Sequence, residues 1–582
     1  MPAFSRRQFI SGASSVAAAA SLAALDGRFA SAAARDRALA ESAARAVRAE
    51  GTTLEQVATP GGDGPYKRLR SGPGWPLLVR EDLAKAGAGR DARRTALACF
   101  VQFTDLHLAD TESPVRFEYL APFNDSAHRP QETLTVRGAS SLVERINSLS
   151  AGPFTGVPFS LVMATGDNTD NHEKIELDWY LSVMSGGTVT PNSGDPHRYE
   201  GVQNSGNAAY WNPESSFRDS YKAKGFPEVP GFLTAAGRPL RAPGLRTPWY
   251  STVGNHDDSI EGTLPDLGLL HSLYTGGRKL EGCDEDDAAK LAQALRDDPA
   301  EAVLRLAELL KSAGPVRHIT PDGRREPFTP AEFARAHLDP AYTGPGPAGH
   351  GFTASAADSG RLYYTFPVAP GVLGISLDTT NPAGFADGSI GTAQLRWLES
   401  VLRSRSGHWY DGDGRVVRGG PGSELVIVFS HHTSGSMGNL LPDPHHPFEG
   451  RHDGGELVAL LQRYPNVVAW VNGHTHRNQI IAHGHAVPER AFWEINTASH
   501  IDFPQHARVI EITDNGDGTL SLFTTLVESA ARYGTDFGDT SDAGLAALYR
   551  ELSYNDPYAR PAAKLGAAGD HNTELLLARP AG

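Results

Sequence analysis

The sequence predicts a layered α/β fold, and two observations predict it. Short apolar runs that have the length of buried strands each end in a polar cluster, and stretches with the helical period separate several of them. Alternation of this kind is typical of a chain whose helices cover the faces of a sheet. Hydrophobic residues make up 40% of the 582 residues, which is enough to fill a sizeable core.

The first element in the chain is an expected export signal. Arg6 and Arg7 precede an Ala-rich apolar run and an A-x-A cleavage pattern near Ala32 to Ala34. The run is too short to span a membrane permanently, and no cysteine follows it to carry a lipid. We therefore expect residues 1–34 to be a twin-arginine signal peptide that engages the twin-arginine export machinery. The mature protein would be extracellular, cell-wall or periplasmic, without a permanent membrane anchor.

The rest of the chain divides by composition. We expect an N-terminal extension at 35–95, a main domain at 96–530 and a C-terminal tail at 531–582 with one helix. Two insertions interrupt the main domain. Residues 172–246 are aromatic and rich in Gly and Pro, so we expect loops there. Residues 259–361 contain a predicted helical pair that would either cover the site or pack on the far surface.

Charge and cysteine content exclude some classes of protein. The formal net charge is −15 and no basic stripe occurs, so we expect no nucleic-acid partner. Cys99 lies in an apolar run and Cys283 in an acidic helical region. We expect free thiols rather than a disulfide.

Five polar clusters follow five of the predicted strands. The strands are "LACFVQF", "FSLVMA", "WYSTV", "ELVIVFS" and "NVVAWV". The clusters are, in the same order, D-x-H (Asp105, His107), G-D-N-T-D-N (Asp167 to Asn171), G-N-H-D (Gly254 to Asp257), H-H (His431, His432) and G-H-T-H (Gly473 to His476). Helices are predicted between the strands at 133–150, 391–405 and 454–464, and further strands at 491–499, 507–513 and 521–529.

The residue types in these clusters suit a metal site. Imidazole nitrogens and carboxylate oxygens bind Mn, Fe or Zn, and two such ions with a bridging carboxylate can hold a phosphoryl group during its transfer. Residues one apart on a strand point to opposite faces, so the D-x-H and H-x-H pairs must lie in the turn beyond the strand end. The glycines before Asp167, Asn255 and His474 would let the backbone turn sharply there.

The five motifs resemble those of the metallophosphoesterase superfamily, the calcineurin-like phosphoesterases. That family's pattern is D-x-H, G-D, G-N-H-[ED], H and G-H-x-H, and here it extends over roughly two-thirds of the chain. The resemblance implies an αββα sandwich of two mixed β-sheets flanked by helices, here with large insertions. The stretches "LRTPWYSTVGNHD", "LDTTNPAGFADGSIGTAQLRWLE" and "NTASHIDFPQHARVIEI" look more narrowly like exported actinobacterial-type members.

The resemblance also implies a role for each matching residue. The first of two divalent metal ions (Mn, Fe or Zn) would be held by Asp105, His107 and His476. Asp167 would bridge both ions, and the second ion would be held by Asn255, His431 and His474. His256 would face the substrate, stabilise charge on the phosphoryl oxygens and protonate the leaving group, with Asp257 orienting its ring.

The motif pattern does not by itself assign roles to His432, Asp170 and His500. His431 is preferred over His432 as the ligand because it comes first after the strand. Asp170 stands where purple acid phosphatases carry a tyrosine, and those enzymes lack the D-x-H histidine, so this chain resembles the non-purple members. We expect Asp170 to accept hydrogen bonds rather than to bind metal. Among the other histidines near the motifs, His500 ranks first for contact with substrate.

The resulting hypothesis is a metal-dependent phosphoric ester hydrolase. A hydroxide that bridges the metals would attack a phosphodiester directly, without a covalent enzyme intermediate. A phosphomonoesterase is the alternative, and a binding protein that keeps the fold without the chemistry is a third possibility. A nuclease is disfavoured by the acidic charge. The natural substrate and the oligomeric state are left open.

Overall fold

The computed structural model describes residues 47–121, 123–124, 126–311, 315–420, 424–558 and 561–580. The predicted signal peptide lies outside the described residues. The strands, in chain order, are β1 (Gln56–Gly61), β2 (Arg68–Pro73), β3 (Leu78–Arg80), β4 (Thr95–Phe103), β5 (Val162–Thr165), β6 (Gly187–Val189), β7 (Leu240–Ala242), β8 (Trp249–Thr252), β9 (Arg278–Leu280), β10 (Val316–His318), β11 (Tyr364–Ala369), β12 (Val372–Ser376), β13 (Ile390–Gly391), β14 (His408–Tyr410), β15 (Val416–Arg418), β16 (Leu425–Phe429), β17 (Arg451–His452), β18 (Val467–Asn472), β19 (Gln479–His483), β20 (Phe492–Asn496), β21 (His506–Asp514), β22 (Thr519–Glu528) and β23 (Thr573–Ala578).

The α-helices of the described residues fall between these strands and in the tail. They are α1 (Thr135–Leu149), α2 (Lys174–Ser185), α3 (Phe232–Gly237), α4 (His271–Tyr274), α5 (Glu285–Asp297), α6 (Pro299–Lys311), α7 (Pro330–His337), α8 (Ala354–Ser359), α9 (Thr392–Arg405), α10 (Gly454–Leu461), α11 (Asp542–Asn555) and α12 (Pro561–Lys564). Asp298 caps the N-terminus of α6, because its carboxylate accepts the backbone N–H of Glu301 at 3.1 Å. Within the described residues, no helix is long and apolar enough to cross a membrane.

Two mixed sheets form the centre of the molecule. One has seven strands in the order β3-β23-β22-β21-β4-β5-β8, and the other has six in the order β11-β12-β16-β18-β20-β19. In the first, β4, β5 and β8 run parallel to one another while β21 and β22 are antiparallel to their neighbours. In the second, β12, β16, β18 and β20 are parallel and the two edge strands are antiparallel.

The two sheets pack face to face and share one core. The rings of Phe100 on β4 and Phe429 on β16 meet edge to face with centroids 5.6 Å apart. At the sheet edge the contact becomes polar, since the Gln102 side chain donates to the carbonyl of Asn472 at 2.8 Å. A strand has one residue of every two on each face, so the opposite faces must be covered by helices.

Helices provide that cover on both sides. Helix α1 buries Val136, Ala139 and Val143 in the same core as the seven-stranded sheet. Helices α9 and α10 pack on the other side, where Leu398 and Leu457 join the outward side chains of β12, β16 and β18 in a second cluster. The order helix, sheet, sheet, helix confirms the predicted αββα sandwich.

The first insertion is less loop-like than expected. Its residues 174–185 form helix α2, and Trp179 and Tyr180 are buried in the central core. The prediction was wrong here because the helix is apolar on most sides and its hydrophobic residues therefore show no clear helical period. Its N-terminus has a capping box, with Glu173 at the N-cap and Glu176 three residues later.

The second insertion packs beside the main core rather than forming a separate unit. Helices α5 and α6 bury their apolar faces against Ile260 and Leu264, in the segment that follows the third motif. Helices α7 and α8 contribute Phe333 and Ala356 to the central core. The predicted helical pair is therefore present and lies against the site loops.

The C-terminal tail belongs to the sandwich. Helix α11, which the sequence predicts, packs in a cluster with Leu134. Strand β23, which it does not predict, joins the seven-stranded sheet between β22 and β3. Both cysteines are free, as expected, with Cys99 buried and Cys283 partly exposed.

Candidate metal centre

The five motifs meet at one edge of the sandwich. The first three follow the carboxyl ends of β4, β5 and β8, and the last two follow those of β16 and β18. Adjacent parallel strands end at the same edge of a sheet, and the facing sheets bring the two edges together. Residues up to 371 positions apart in the chain, Asp105 and His476, thus lie side by side.

The backbone at the motifs adopts an uncommon conformation. Of the eleven described non-glycine residues with positive φ, five are predicted ligands: Asp105 (51°), His107 (44°), Asp167 (50°), His474 (70°) and His476 (53°). Left-handed backbone in such residues costs about 1–3 kcal/mol each and is concentrated at functional sites. It breaks the strand alternation, so both members of D-x-H and of H-x-H can point into one site.

Two of the three motif glycines are needed for close packing rather than for the sharp backbone turn that was expected. Only Gly166 has a positive φ, at 90°. A Cβ on Gly254 would stand 2.2 Å from Oδ1 of Asp167, and one on Gly473 would stand 2.5 Å from Oδ2 of Asp105. These two positions need glycine because a ligand carboxylate lies directly against the backbone.

The first predicted ligand set is brought together. Asp105, His107, Asp167 and His476 offer ligand atoms that all lie within 4.8 Å of one another. Nε2 of His476 is 3.3 Å from Oδ1 of Asp105 and 3.2 Å from Nε2 of His107. Nε2 of His107 is 3.5 Å from Oδ2 of Asp167.

The second predicted set lies on the other side of Asp167. Oδ2 of Asp167 is 3.1 Å from Nε2 of His431. That nitrogen is 2.9 Å from Oδ1 of Asn255 and 3.3 Å from Nδ1 of His474. Asp167 thus touches one imidazole from each set, as a bridging carboxylate must.

The donor atoms fit a cation better than they fit one another. Nδ1 of His431 bonds to the Thr165 carbonyl, so the neutral ring presents the lone pair of Nε2. The Asn255 amide donates to the carbonyl of Gly262 at 2.9 Å, so its Oδ1 is also an acceptor. Two acceptors facing each other at 2.9 Å need a proton or a metal between them. Ligands about 2.1 Å from one tetrahedral ion stand about 3.4 Å apart, close to the distances found here.

The charges of the metal-free site support the same conclusion. Burial opposes charge on His431, but the neighbouring Asp167 carboxylate raises the pKa of His431 to about 9. Burial works to raise the pKa of Asp167, yet the charges of His431 and His256 hold it well below its ordinary value. The site therefore favours positive charge beside its carboxylates, which bound metals would supply.

The adjacent histidines are distinguished by their contacts. Both ring nitrogens of His432 are occupied, Nδ1 by the Thr379 hydroxyl at 2.9 Å and Nε2 by the Ala386 carbonyl at 3.0 Å. His431 has Nε2 directed at Asp167. Although His432 lies close enough to join a metal-binding group, its hydrogen bonds leave His431 as the better ligand, in line with the sequence-based choice.

His256 is placed beside both sets, but Asp257 does not orient it as expected. Nδ1 of His256 bonds to the backbone carbonyl of Asp170 at 2.5 Å, which leaves Nε2 free. The Asp257 carboxylate instead accepts the backbone N–H groups of Asn168, Thr169 and Gly254. Asp257 thus joins the second and third motif loops, and the prediction of its contact with the ring was wrong. Three backbone donors outcompete a single imidazole for one carboxylate.

Two carboxylates orient the first pair of imidazoles. Asp170 accepts from Nδ1 of His107 at 2.9 Å, as expected of a hydrogen-bond acceptor. Asp502 accepts from Nδ1 of His476 at 2.7 Å and also contacts Lys564 of the tail. Sequence analysis missed Asp502. The signal for it was its place in the loop after strand β20, six residues beyond the strand end at Asn496, in the stretch "SHIDFP".

His500 does not face the site. It is fully buried, and its ring lies 5.7 Å from the ring of Tyr549 on α11. Burial lowers the pKa of His500 to about 4. The ranking of His500 first among these histidines was wrong because the tail helix covers this loop.

Comparison with known proteins leaves the family assignment open. No protein-family model and no curated protein matches the chain. Among solved structures, the chain is similar to a dimetal phosphatase from Danio rerio, at 11% identity and a TM-score of 0.32, over 75% of this chain and 100% of that one. It is also similar to the purple acid phosphatase PPD1 from yellow lupin (Lupinus luteus) seeds, at 11% identity and a TM-score of 0.26, over 82% of this chain and 55% of that one. Likeness this distant carries no argument about activity, so the function must be argued from the site itself.

Proposed function

We propose that this chain is a phosphoric ester hydrolase that depends on two divalent metal ions. The observation that carries the proposal is Asp167, whose carboxylate stands 3.1 Å from His431 of one ligand set and 3.5 Å from His107 of the other. Two divalent ions, when bound there, supply Lewis acidity and an activated water at neutral pH. Their identity among Mn, Fe and Zn is open, because the ligand types suit all three.

The ligands and His256 have different proposed roles in the reaction. The ligands orient one another through their hydrogen bonds and hold the two positions in contact with one carboxylate. Nδ1 of His256 is occupied by its hydrogen bond, so Nε2 is the ring nitrogen left for substrate, and the side chain is 16% exposed. That nitrogen is placed to meet a phosphoryl oxygen or the leaving group. Its backbone N–H donates to Oδ1 of Asp167 at 2.9 Å, which ties the ring's position to the bridging ligand.

We favour a phosphodiester over a phosphomonoester as substrate. The cationic side chains behind the ligands are already paired with carboxylates, Arg116 with Asp170 and Lys564 with Asp502. Charge on the substrate would therefore be balanced chiefly by the metals, with the neutral His256 ring as a hydrogen-bond partner. A diester carries one negative charge and a monoester close to two at neutral pH, so this arrangement suits the diester better.

The test is hydrolysis by the Mn-loaded protein of bis-p-nitrophenyl phosphate beside p-nitrophenyl phosphate. We expect faster hydrolysis of the diester, and loss of activity in His256→Ala and in Asp167→Asn. Preference for the monoester would make the protein a phosphomonoesterase. Two bound metals without activity on either ester would favour the non-catalytic binding protein. A steep fall of activity with salt would favour a nuclease.

Export of the protein is a separate proposal. It rests on Arg6 and Arg7 and the A-x-A pattern near Ala32, all outside the described residues. Replacing both arginines with lysine in a full-length fusion to a reporter should retain the reporter in the cytoplasm. Export of the doubly substituted fusion at the normal level would contradict the proposal.

A further inference from the structure

A closed ring of buried side chains connects the two imidazoles of the first metal position. Each member contacts the next, and most contacts are short. The contacts are His107 to Asp170 (2.9 Å), Asp170 to Arg116, Arg116 to Glu132 (3.0 Å), Glu132 to Arg129 (3.4 Å), Arg129 to Asp502 (2.8 Å), Asp502 to His476 (2.7 Å) and His476 back to His107 (3.2 Å). We refer to these seven residues as the charge ring.

The charged members of the ring are almost fully buried. Their exposed fractions are 1% for Arg116, 3% for Arg129, 2% for Glu132, 1% for Asp170 and 2% for Asp502. Separating a buried charge from its partner is strongly unfavourable, because water does not replace the lost contact. Each carboxylate is therefore confined to the position that its guanidinium partners set.

Glu132 and Arg129 close the ring although neither contacts a metal ligand. Glu132 lies between the two guanidinium groups, with an aligned hydrogen bond from Arg129 and an ion pair to Arg116 that lacks hydrogen-bond geometry. Arg129 uses Nε for Asp502 and Nη1 for Glu132. The planar guanidinium thus offers a separate nitrogen to each carboxylate in a fixed geometry.

Lys564 balances the ring from the C-terminal tail. The ring itself contains three carboxylates and two guanidinium groups. Lys564, at the end of α12, contacts the same oxygen of Asp502 as His476 does and supplies the third positive charge. Its side chain is 23% exposed, so it stands at the solvent edge of the network.

We propose that Glu132 and Arg129 are positioning residues for the first metal. They hold Asp170 and Asp502 against Nδ1 of His107 and His476, so that Nε2 of both rings faces the same ion. This inference rests on the metal centre of the proposed function. Outer partners of metal-binding histidines fix the tautomer and the ring orientation, and losing one typically weakens metal binding by about 10–100-fold.

The experiment is a titration of the metal-free, full-length protein with Zn²⁺, using a competing chromophoric chelator to resolve two binding steps. Arg129→Lys keeps the charge but replaces the two nitrogens of the planar guanidinium with a single nitrogen on a flexible stem, and Glu132→Gln keeps the shape but removes the charge. We expect one dissociation constant to rise by about 10–100-fold in each variant and the other to stay unchanged. The ¹⁵N spectra of labelled histidines should show that His107 and His476 lose their single Nδ1–H tautomer.

The matched control is Arg90→Lys. Arg90 is partly buried, with its side chain 17% exposed, and its guanidinium contacts the single carboxylate of Glu574 on β23 through two nitrogens, at 2.9 Å for both contacts. We expect it to leave both dissociation constants unchanged. A ring that only stabilised the fold would give Arg129→Lys the same metal affinities as this control, and that result would overturn the proposal.

Two other outcomes are distinguishable. Wild-type protein that binds no Zn²⁺ pair would contradict the proposed metal centre itself, whatever the variants do. If neither ring variant folds, the Zn-loaded wild type still decides the question. Slow solvent exchange of the assigned Nδ1–H protons of His107 and His476 would support the ring, and fast exchange of both would overturn it.

Discussion

Gly262 leaves room for the ring of His256, the proposed substrate-facing residue, and one methyl group at this position should displace that ring. The residue has a φ of 62°, and its carbonyl accepts the side-chain amide of Asn255. A Cβ at this position would stand 2.2 Å from Cδ2 and 2.5 Å from Nε2 of His256, and 2.6 Å from Nδ2 of Asn255. The new methyl group would therefore clash with His256, the proposed substrate-facing group, and with Asn255, a proposed metal ligand.

The size of the effect follows from these distances. Non-bonded heavy atoms settle about 3.5 Å apart, so Nε2 of His256 would have to retreat by about 1 Å from the new methyl group. A misplacement of about 1 Å can lower a catalysed rate by about 100-fold. Left-handed backbone also costs an alanine about 1–2 kcal/mol of the free energy of unfolding.

The assay compares Gly262→Ala with Gly268→Ala. Gly268 lies in the same segment with a φ of 73°, and a Cβ there would meet nothing within 4 Å. Both variants should lose about 1–2 kcal/mol of stability. Only Gly262→Ala should lower kcat on bis-p-nitrophenyl phosphate, by about 100-fold. Equal kcat in the two Mn-loaded variants would refute the reasoning that close approach at Gly262 positions His256.

Two further predictions follow from the metal centre. His431→Ala should bind about one metal per chain by elemental analysis, while His432→Ala should retain two, because both ring nitrogens of His432 are already hydrogen-bonded; equal metal content in the two variants would contradict the assignment. Removing metal with a chelator should lower the thermal midpoint, since each metal at about 100 times its dissociation constant stabilises the fold by about 2.7 kcal/mol. An unchanged midpoint after verified metal removal would mean that the ligand sets do not hold a metal in the folded protein.

Much of the site could be predicted from short stretches of sequence. The strands that end at "TDLH", "TGDN", "GNHD", "SHH" and "NGHTH" are apolar, short and followed by ligand-type residues, and all of these features are local. A buried strand followed by a polar turn leaves few alternatives, because the apolar run must be covered and the polar residues must leave the core. The sandwich and the meeting of the seven expected ligands were implied by the resemblance of the five motifs to the metallophosphoesterase pattern.

Other features depended on contacts that no short stretch contains. Asp257 was expected to orient His256, but the neighbouring loop after β5 provides three backbone donors for its carboxylate. Helix α2 has apolar residues on most sides, so its sequence shows no clear helical period of hydrophobic residues. The stretch around His500 resembles a site loop, but Tyr549 of the tail helix lies against the His500 ring.

The sequence by itself determined the ligand types and their position after the strands, and the resemblance of its motifs implied the sandwich that brings them together. The tertiary structure alone decided what stands behind the ligands. Asp502 lies 26 residues after His476, and Lys564 lies 62 residues further on, yet one oxygen of Asp502 contacts both the His476 imidazole and the Lys564 ammonium. Buried charges pair with whatever charge the fold brings within a few ångströms, and that proximity depends on the whole chain.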